Sequence, residues 1–295
     1  YKDWSRGLGD VYKRQEWKAV AEREFIAGTF LWTGMDYLGE ANDAWPRKGS
    51  GSGLLDHAGF EKPSFHLFKT LWDDTPHVHM TTQTLQDSIY DVSADGTLSA
   101  KDKWDERTWW WHDVNRHWNY AGGDAVVEVV TNCESVELFL NGESQGAQRL
   151  EDNPDRLIKW LVPFAAGELE ARGDCTASDN LVTAGNPAQL VLSSDTDTLR
   201  ADGYAVAHLE VQVTDEAGNP VGYDDVEVAF DVPESLEVLG VDNGATEAMD
   251  RYRATSLMTQ NGRALLIVRA LDQGDATISV RADGLEPASV GLSIR

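Results

Sequence analysis

The chain has 295 residues, 41 % hydrophobic and 25 % charged, a composition of packed domains rather than of disorder, and its length fits two or three of them. Asp+Glu number 50 against 25 Lys+Arg, a formal net charge of −25 that repels phosphate, excludes nucleic acid as a partner and disfavours anionic lipid. No run approaches the roughly 18 consecutive apolar residues of a membrane span, so no membrane association is expected. Asp outnumbers Glu 30 to 20 and Lys is scarce at 9, a bias expected of halophilic proteins, in which salt screens self-repulsion; an acidic mesophilic secreted enzyme is the alternative. Cys133 and Cys175 make neither a disulfide framework nor a zinc motif, and are expected as small buried residues.

Residues 1–75 are nearly balanced in charge, whereas 76–187 and 188–295 are both strongly acidic; ten of the 11 Trp lie at or before Trp118. Glu16–Glu24 spaces Trp17, Val20 and Ala21 for one face of a helix. Phe25–Trp32 is a short apolar run with the character of a strand buried on both faces of a parallel sheet. A loop rich in Gly, Pro and aromatics follows to about Phe60, and then Lys62–Trp72, with Pro63 suited to a first helical turn and Phe65, Phe68, Leu71 and Trp72 on one face. Strand, long loop and helix make one unit of a (β/α)8 TIM barrel, in which loops after strands carry the active site.

From about Pro76 the period becomes two. Ala125–Thr131 and Ser135–Leu140 are predicted strands, and Asn141-Gly142 supplies a tight hairpin turn. Leu157–Val162 and Glu168–Ala171 continue the pattern, as do Ala205–Val213, Val226–Asp231, Leu265–Ala270 and Thr277–Arg281. These spacings predict two immunoglobulin-like all-β sandwiches, over 76–187 and 188–295, and the second resembles the invasin or bacterial Ig-like type.

The stretch Phe25–Glu40 reads FIAGTFLWTGMDYLGE, followed by Trp45-Pro46 and by GLLDHAGFEKP from Gly53 to Pro63. It resembles the end of the catalytic barrel of glycoside hydrolase family 2, the β-galactosidase and β-glucuronidase family, in the pattern G-x-F-x-W-T-G-x-D-Y-x-G-E, then W-P, then G-x-x-D-x-x-G-x-x-K. Trp118-Asn119-Tyr120, Thr131-Asn132-Cys133 and Val136–Gly142 are similar to that family's accessory β-domains, and an insertion is expected over 80–110. Residues 1–15 match nothing in the family and resemble translated adapter read-through, so they are expected to be non-native, with 16–75 the end of the barrel.

The resemblance implies a C-terminal fragment of a retaining exo-β-glycosidase. Such enzymes use two carboxyl groups about 5–5.5 Å apart. In the family both precede the last barrel strand, so this chain is expected to lack both catalytic glutamates and to be inactive alone. Trp32 is implied as the floor of the subsite for the non-reducing sugar, its indole lying against the ring. Asp36 either accepts hydrogen bonds from sugar hydroxyls or holds the loop through backbone N–H groups. Glu40 is a subsite contact or supports one, and Trp45 lines the leaving-group side or pins the loop. Family glucuronidases carry Asn-x-Lys to grip a carboxylate where this chain has Ser50-Gly51-Ser52, which favours a neutral sugar, galactose first. The expected partner is an oligosaccharide or β-galactoside. No cofactor is expected, though the longer enzyme has room for a structural or activating cation. The sequence assigns no compartment, cytoplasmic or secreted.

Other constellations read as structure. His77 and His79 alternate with no third ligand nearby in sequence, His57 reads as loop packing, and Asp242-Asn243-Gly244 as a turn. Trp109-Trp110-Trp111 suits interdomain packing or a carbohydrate platform. No Walker, Rossmann or Gly-x-Ser-x-Gly pattern occurs. The competing reading is a non-catalytic carbohydrate-binding or adhesive β-sandwich protein.

Overall fold

A computed structural model describes residues 17, 20, 22–41, 45–101, 112 and 114–295. These fall into two compact units. The first takes the described residues of Tyr1–Asp36, Gly51–Leu55 and Glu61–Thr183; the second takes those of Tyr37–Ser50, Asp56–Phe60 and Ala184–Arg295. No helix among the described residues is long and apolar enough to cross a membrane.

The first unit is a β-sandwich. One sheet sets the Asp124–Thr131 strand between Val78–Thr84 and Ile158–Pro163, all antiparallel. The facing sheet orders Ser178–Val182, Glu168–Gly173, Ser135–Leu140 and Glu143–Arg149. Ala125, Val127 and Val129 alternate inward onto Val136, Leu138, Leu169 and Ala171, with Met80, Ile158 and Trp118 filling the same core. The other face of the central strand is covered as well: Val130 packs on Leu157 and on Leu67 of the Pro63–Trp72 helix. Burial on both faces is why this strand is apolar nearly throughout. The hairpin closes at Asn141-Gly142, whose φ values of 53° and 81° lie in the left-handed region that asparagine and glycine tolerate best.

The second unit is also a β-sandwich. A four-stranded sheet, Gln189–Ser194, Val206–Thr214, Arg263–Ala270 and Leu236–Asp242, faces a five-stranded one. The latter runs Thr198–Leu199, Ala288–Ile294, Gly274–Arg281, Glu227–Asp231 and Ser256–Met258. Leu209, Val211, Leu266, Val268, Ile278 and Val228 interdigitate in its core. Residues 37–50 add the short antiparallel pair Tyr37–Leu38 with Gly49–Ser50. The turn after the Val206–Thr214 strand is organised by Asp215, whose Oδ1 accepts the N–H groups of Ala217 and Asn219 and whose Oδ2 accepts that of Gly185.

Three sequence expectations are corrected. Phe25–Trp32 forms no strand, and Phe25 and Phe30 are 84 % and 103 % exposed. A buried parallel strand needs a hydrogen-bonding neighbour on each side, and among the described residues that segment has none. The helix is Pro63–Trp72 as expected, but its buried side is Ser64, His66, Leu67, Phe68 and Thr70, leaving Trp72 half exposed. Cys133 and Cys175 are joined in a disulfide across 42 residues, with Cα atoms 5.3 Å apart. Sheet register explains the pairing: Val136 sits opposite Gly173, which brings the two cysteines just beyond the same strand ends. In the expected first helix, Trp17 and Val20 are helical, and Trp17 meets Trp72 edge-on at 5.9 Å between ring centroids. Trp109-Trp110-Trp111 and residues 1–15 lie outside the described residues.

Candidate functional site

The loop after Trp32 folds back on itself through main-chain hydrogen bonds. Thr33 donates to Ser52 O, Leu54 to Thr33 O, Leu55 to Gly34 O and Asp36 to Leu55 O. Gly53 is required at the closest approach, because a Cβ there would stand 2.2 Å from the Asp36 nitrogen. The Asp36 carboxylate is buried and fully engaged. Its Oδ1 accepts the Gly53 N–H at 2.6 Å, and both oxygens accept from Lys62 Nζ, at 3.0 and 3.1 Å. Lys62 Nζ also donates to Gly51 O at 2.8 Å. Of the two roles open to Asp36 in the sequence, this geometry is that of bracing the loop. Lys62 has no predicted role, although it closes the G-x-x-D-x-x-G-x-x-K pattern; the ammonium ties the start of the loop to its end.

Trp32 begins this braced stretch with its indole 64 % exposed. Trp32 and Asp36 belong to the first unit, Glu40 and Trp45 to the second. Glu40 is exposed, has φ of 52°, and accepts a hydrogen bond from Tyr37 Oη at 2.5 Å. Trp45 is 79 % exposed. Arg47 donates to Gly49 O, Lys48 Nζ lies 4.6 Å from the Tyr252 ring centroid, and the Lys48 N–H bonds Thr246 O. His57 buries both ring nitrogens without a hydrogen-bond partner, as a packing residue of the same loop.

Two buried polar clusters in the first unit were not foreseen. His66 on the helix joins His77 and His79, supplying the third imidazole that sequence spacing did not show. Its Nδ1 lies 3.2 Å from His77 Nε2, and its ring stacks on His79 with centroids 3.4 Å apart. Burial first, then a neighbouring imidazole and the positive charge of Arg116, lowers the His66 pKa to about 3 and holds His79 well below its ordinary value, with Lys69 adding to the effect on His66. His77 is lowered too, mainly by burial. The rings are parallel within 9°, a stack rather than a convergence of lone pairs on one point. Among the described residues, the set of ligand-type atoms drawn close together is Cys133, Asp174 and Cys175, and both sulfurs there are spent in the disulfide.

The second cluster is centred on Glu128, in the middle of the central strand and 2 % exposed. It accepts from Tyr90 Oη and pairs with His112 Nε2 at 2.9 Å to both oxygens. Burial raises its pKa, but the adjacent His112 and the hydrogen bonds outweigh that and hold it below the usual carboxylate value. The signal for this cluster is a single acid in the run AVVEVVT.

Residues 190–291 match the family model described as glycoside hydrolase family 2 C-terminal domain 5, and residues 122–176 match a domain of unknown function (DUF4982). The beta-galactosidase BoGH2A of Bacteroides ovatus is 29 % identical over 94 % of this chain and 29 % of its own length. A beta-glucuronidase of Formosa agariphila is 24 % identical over 94 % of this chain and 25 % of its own. The chain therefore spans under a third of either relative. A solved structure of a glycosyl hydrolase family 2 member from Bacteroides cellulosilyticus superposes with a TM-score of 0.85 at 28 % identity, covering 99 % of this chain and 39 % of that one. The C-terminal sandwich thus matches a domain of glycoside hydrolase family 2, and the fold of the chain follows that of a solved member of that family.

Proposed function

We propose that the chain is the C-terminal part of a retaining exo-β-glycosidase acting on terminal neutral β-linked sugars, β-galactosides first. The observation that carries this reading is the exposed Trp32 indole at the head of a loop braced by Asp36 and Lys62. A flat apolar face held by a buried ion pair suits the apolar side of a pyranose ring. On this reading residues 16–75 end a TIM barrel, and 76–187 and 188–295 are immunoglobulin-like accessory domains. Phe25–Trp32 pairs as a strand only when the preceding barrel strands are present. The nucleophile and the acid/base come from that upstream part, around an oxocarbenium-like transition state. Trp32 floors the sugar subsite, Trp45 lines the leaving-group side, Glu40 supports the subsite rim through Tyr37, and Asp36 positions the loop.

The neutral-sugar preference rests on Ser50-Gly51-Ser52, which offers no cation to a uronate. The nearby cations are engaged: Arg47 on a carbonyl, Lys48 over Tyr252, Lys62 on Asp36. A β-glucuronidase is the second reading, because relatives bear that name.

The test is hydrolysis of nitrophenyl β-galactoside and β-glucuronide by this chain and by a form extended upstream through the whole barrel. The chain alone is expected to be inactive and the extended form active on the galactoside. Trp32→Ala in the extended form should lower kcat/KM on the order of 100-fold, as loss of a sugar-positioning surface does. Turnover by the short chain alone overturns the placement of the catalytic pair upstream.

A further inference from the structure

The helix Pro63–Trp72 meets the first sandwich through two unlike contacts. One is a small apolar set, Leu67 and Leu71 on Val130 and Leu157, separate from the main core. The other is the imidazole stack, His66 of the helix against His77 and His79. The sheet holds its two histidines firmly: His77 donates its N–H to Asn132 Oδ1, and His79 stands opposite Val130 in the strand pairing. His66 rides on the helix, and one turn before it Lys62 caps that helix. The Lys62 amide donates to Leu54 O, while its ammonium holds Asp36 and Gly51 O. Whatever seats the helix therefore also seats the loop that begins at Trp32.

The stack has room for few protons. His66 Nδ1 and His77 Nε2 face each other at 3.2 Å, so one donates and the other accepts, and a proton on both sets N–H against N–H. The His66 and His79 rings lie face to face 3.4 Å apart, where two imidazolium charges repel. The surrounding charges give little relief. Lys69 and Arg116 add positive charge. Asp179 lies 4.0 Å from His79 Nδ1, but its carboxylate is taken by Arg116 and by the Met80 amide. Glu61 stands 3.5 Å from His66 Nε2 with its side chain half exposed, and Asp73 acts on His77 from beyond the helix end. Lifting the helix opens the rings to water, where each takes a proton freely. A helix with so small an apolar seat belongs to the low-stability end of its domain. The geometry points to an acid-released latch: protons taken up by His66, His77 and His79 unseat the helix and free the Asp36–Gly53 brace, and with it Trp32, while the main sandwich stays folded. The latch stands on the stack and the Lys62 brace; that it governs a sugar subsite rests on the glycosidase reading above.

The test is amide hydrogen exchange on the full 295-residue chain from pH 7.5 to 5, with protection corrected for the intrinsic effect of pH. Below about pH 6.5, each histidine freed on opening raises the open fraction about tenfold per pH unit. Protection of the Phe68 amide in the helix and of the Gly53 amide in the loop should fall together, by about 30-fold or more at pH 5, the share of one histidine. Both should stay well below the protection of Val127 in the main core. His66→Gln should remove the share of His66 from both falls; should it fail to fold, His79→Gln does the same for its own ring. The latch is overturned by equal protection at Gly53 and Val127, since the unit then opens only as a whole. It is overturned equally by a Phe68 response that Gly53 does not share, or by a fall that the histidine variants leave unchanged. Hydrolysis by the extended enzyme with pH-independent protection at Gly53 removes the latch alone, whereas acid release of Gly53 without hydrolysis removes only the glycosidase reading.

Discussion

The three stacked histidines make the first sandwich sensitive to acid. His66, His77 and His79 are held neutral in the fold, while in the unfolded chain each takes a proton near its ordinary value of 6.5. Below that pH the unfolded state binds more protons, so stability is full above 6.5 and falls as pH drops toward the lowered folded values, about 3 for His66. The cost is up to about 1.4 kcal/mol per pH unit for each histidine. Asp179, Glu61 and Asp73 face the cluster and moderate the loss, while Lys69 and Arg116 deepen it. Urea midpoints at pH 7.5, 6 and 5 should fall steadily, and His66→Gln should flatten the trend; an unchanged slope in that variant refutes the assignment. Lys62→Met should be costlier at neutral pH, because it strands the Asp36 charge beside the Gly53 amide, a loss of about 3–5 kcal/mol for a broken buried pair. Hydrogen exchange at the Gly53 N–H is the local measure. The loop residues were readable in the sequence as a string of identities, but their partners were not. Lys62 stands 26 positions from Asp36, and nothing in local spacing marks that pair.

Strands and turns with local causes were legible, and those with remote causes were not. Asn141-Gly142 fixes its own hairpin, and Asp215 draws its turn from the residues just beyond it. Phe25–Trp32 has the composition of a buried strand but finds no hydrogen-bonding neighbours among the described residues, so composition alone misleads. The disulfide was hidden for a similar reason, since its two ends meet only through the register of Ser135–Leu140 with Glu168–Gly173. Closing a loop of 42 residues removes denatured-chain entropy worth about 4 kcal/mol. Cys133→Ser with Cys175→Ser should lower the stability of the first unit by roughly that much. Reductant should reproduce the drop in the parent chain and do nothing to the double variant.

At the scale of the molecule, a net charge of −25 should make stability depend on salt. Raising KCl from 0.1 to 1 M shortens the screening length from about 10 to 3 Å and should raise the urea midpoint of both units, in line with the proposed halophilic origin. A midpoint indifferent to KCl argues for an acidic mesophilic source instead. The second unit carries a consequence of another kind. The matched C-terminal domain runs over 190–291, yet the compact body around it also recruits 37–50 and 56–60. Arg263 lies over the Phe60 ring at 3.7 Å, and Thr246 O receives the Lys48 amide. What inheritance could shuffle as a cassette is therefore stitched to a stretch more than a hundred residues earlier. A recombination crossover between Phe60 and Ala184 would deliver a C-terminal domain still fitted to a loop it had left behind, which ties the exchange of this domain to the exchange of the Trp45 loop.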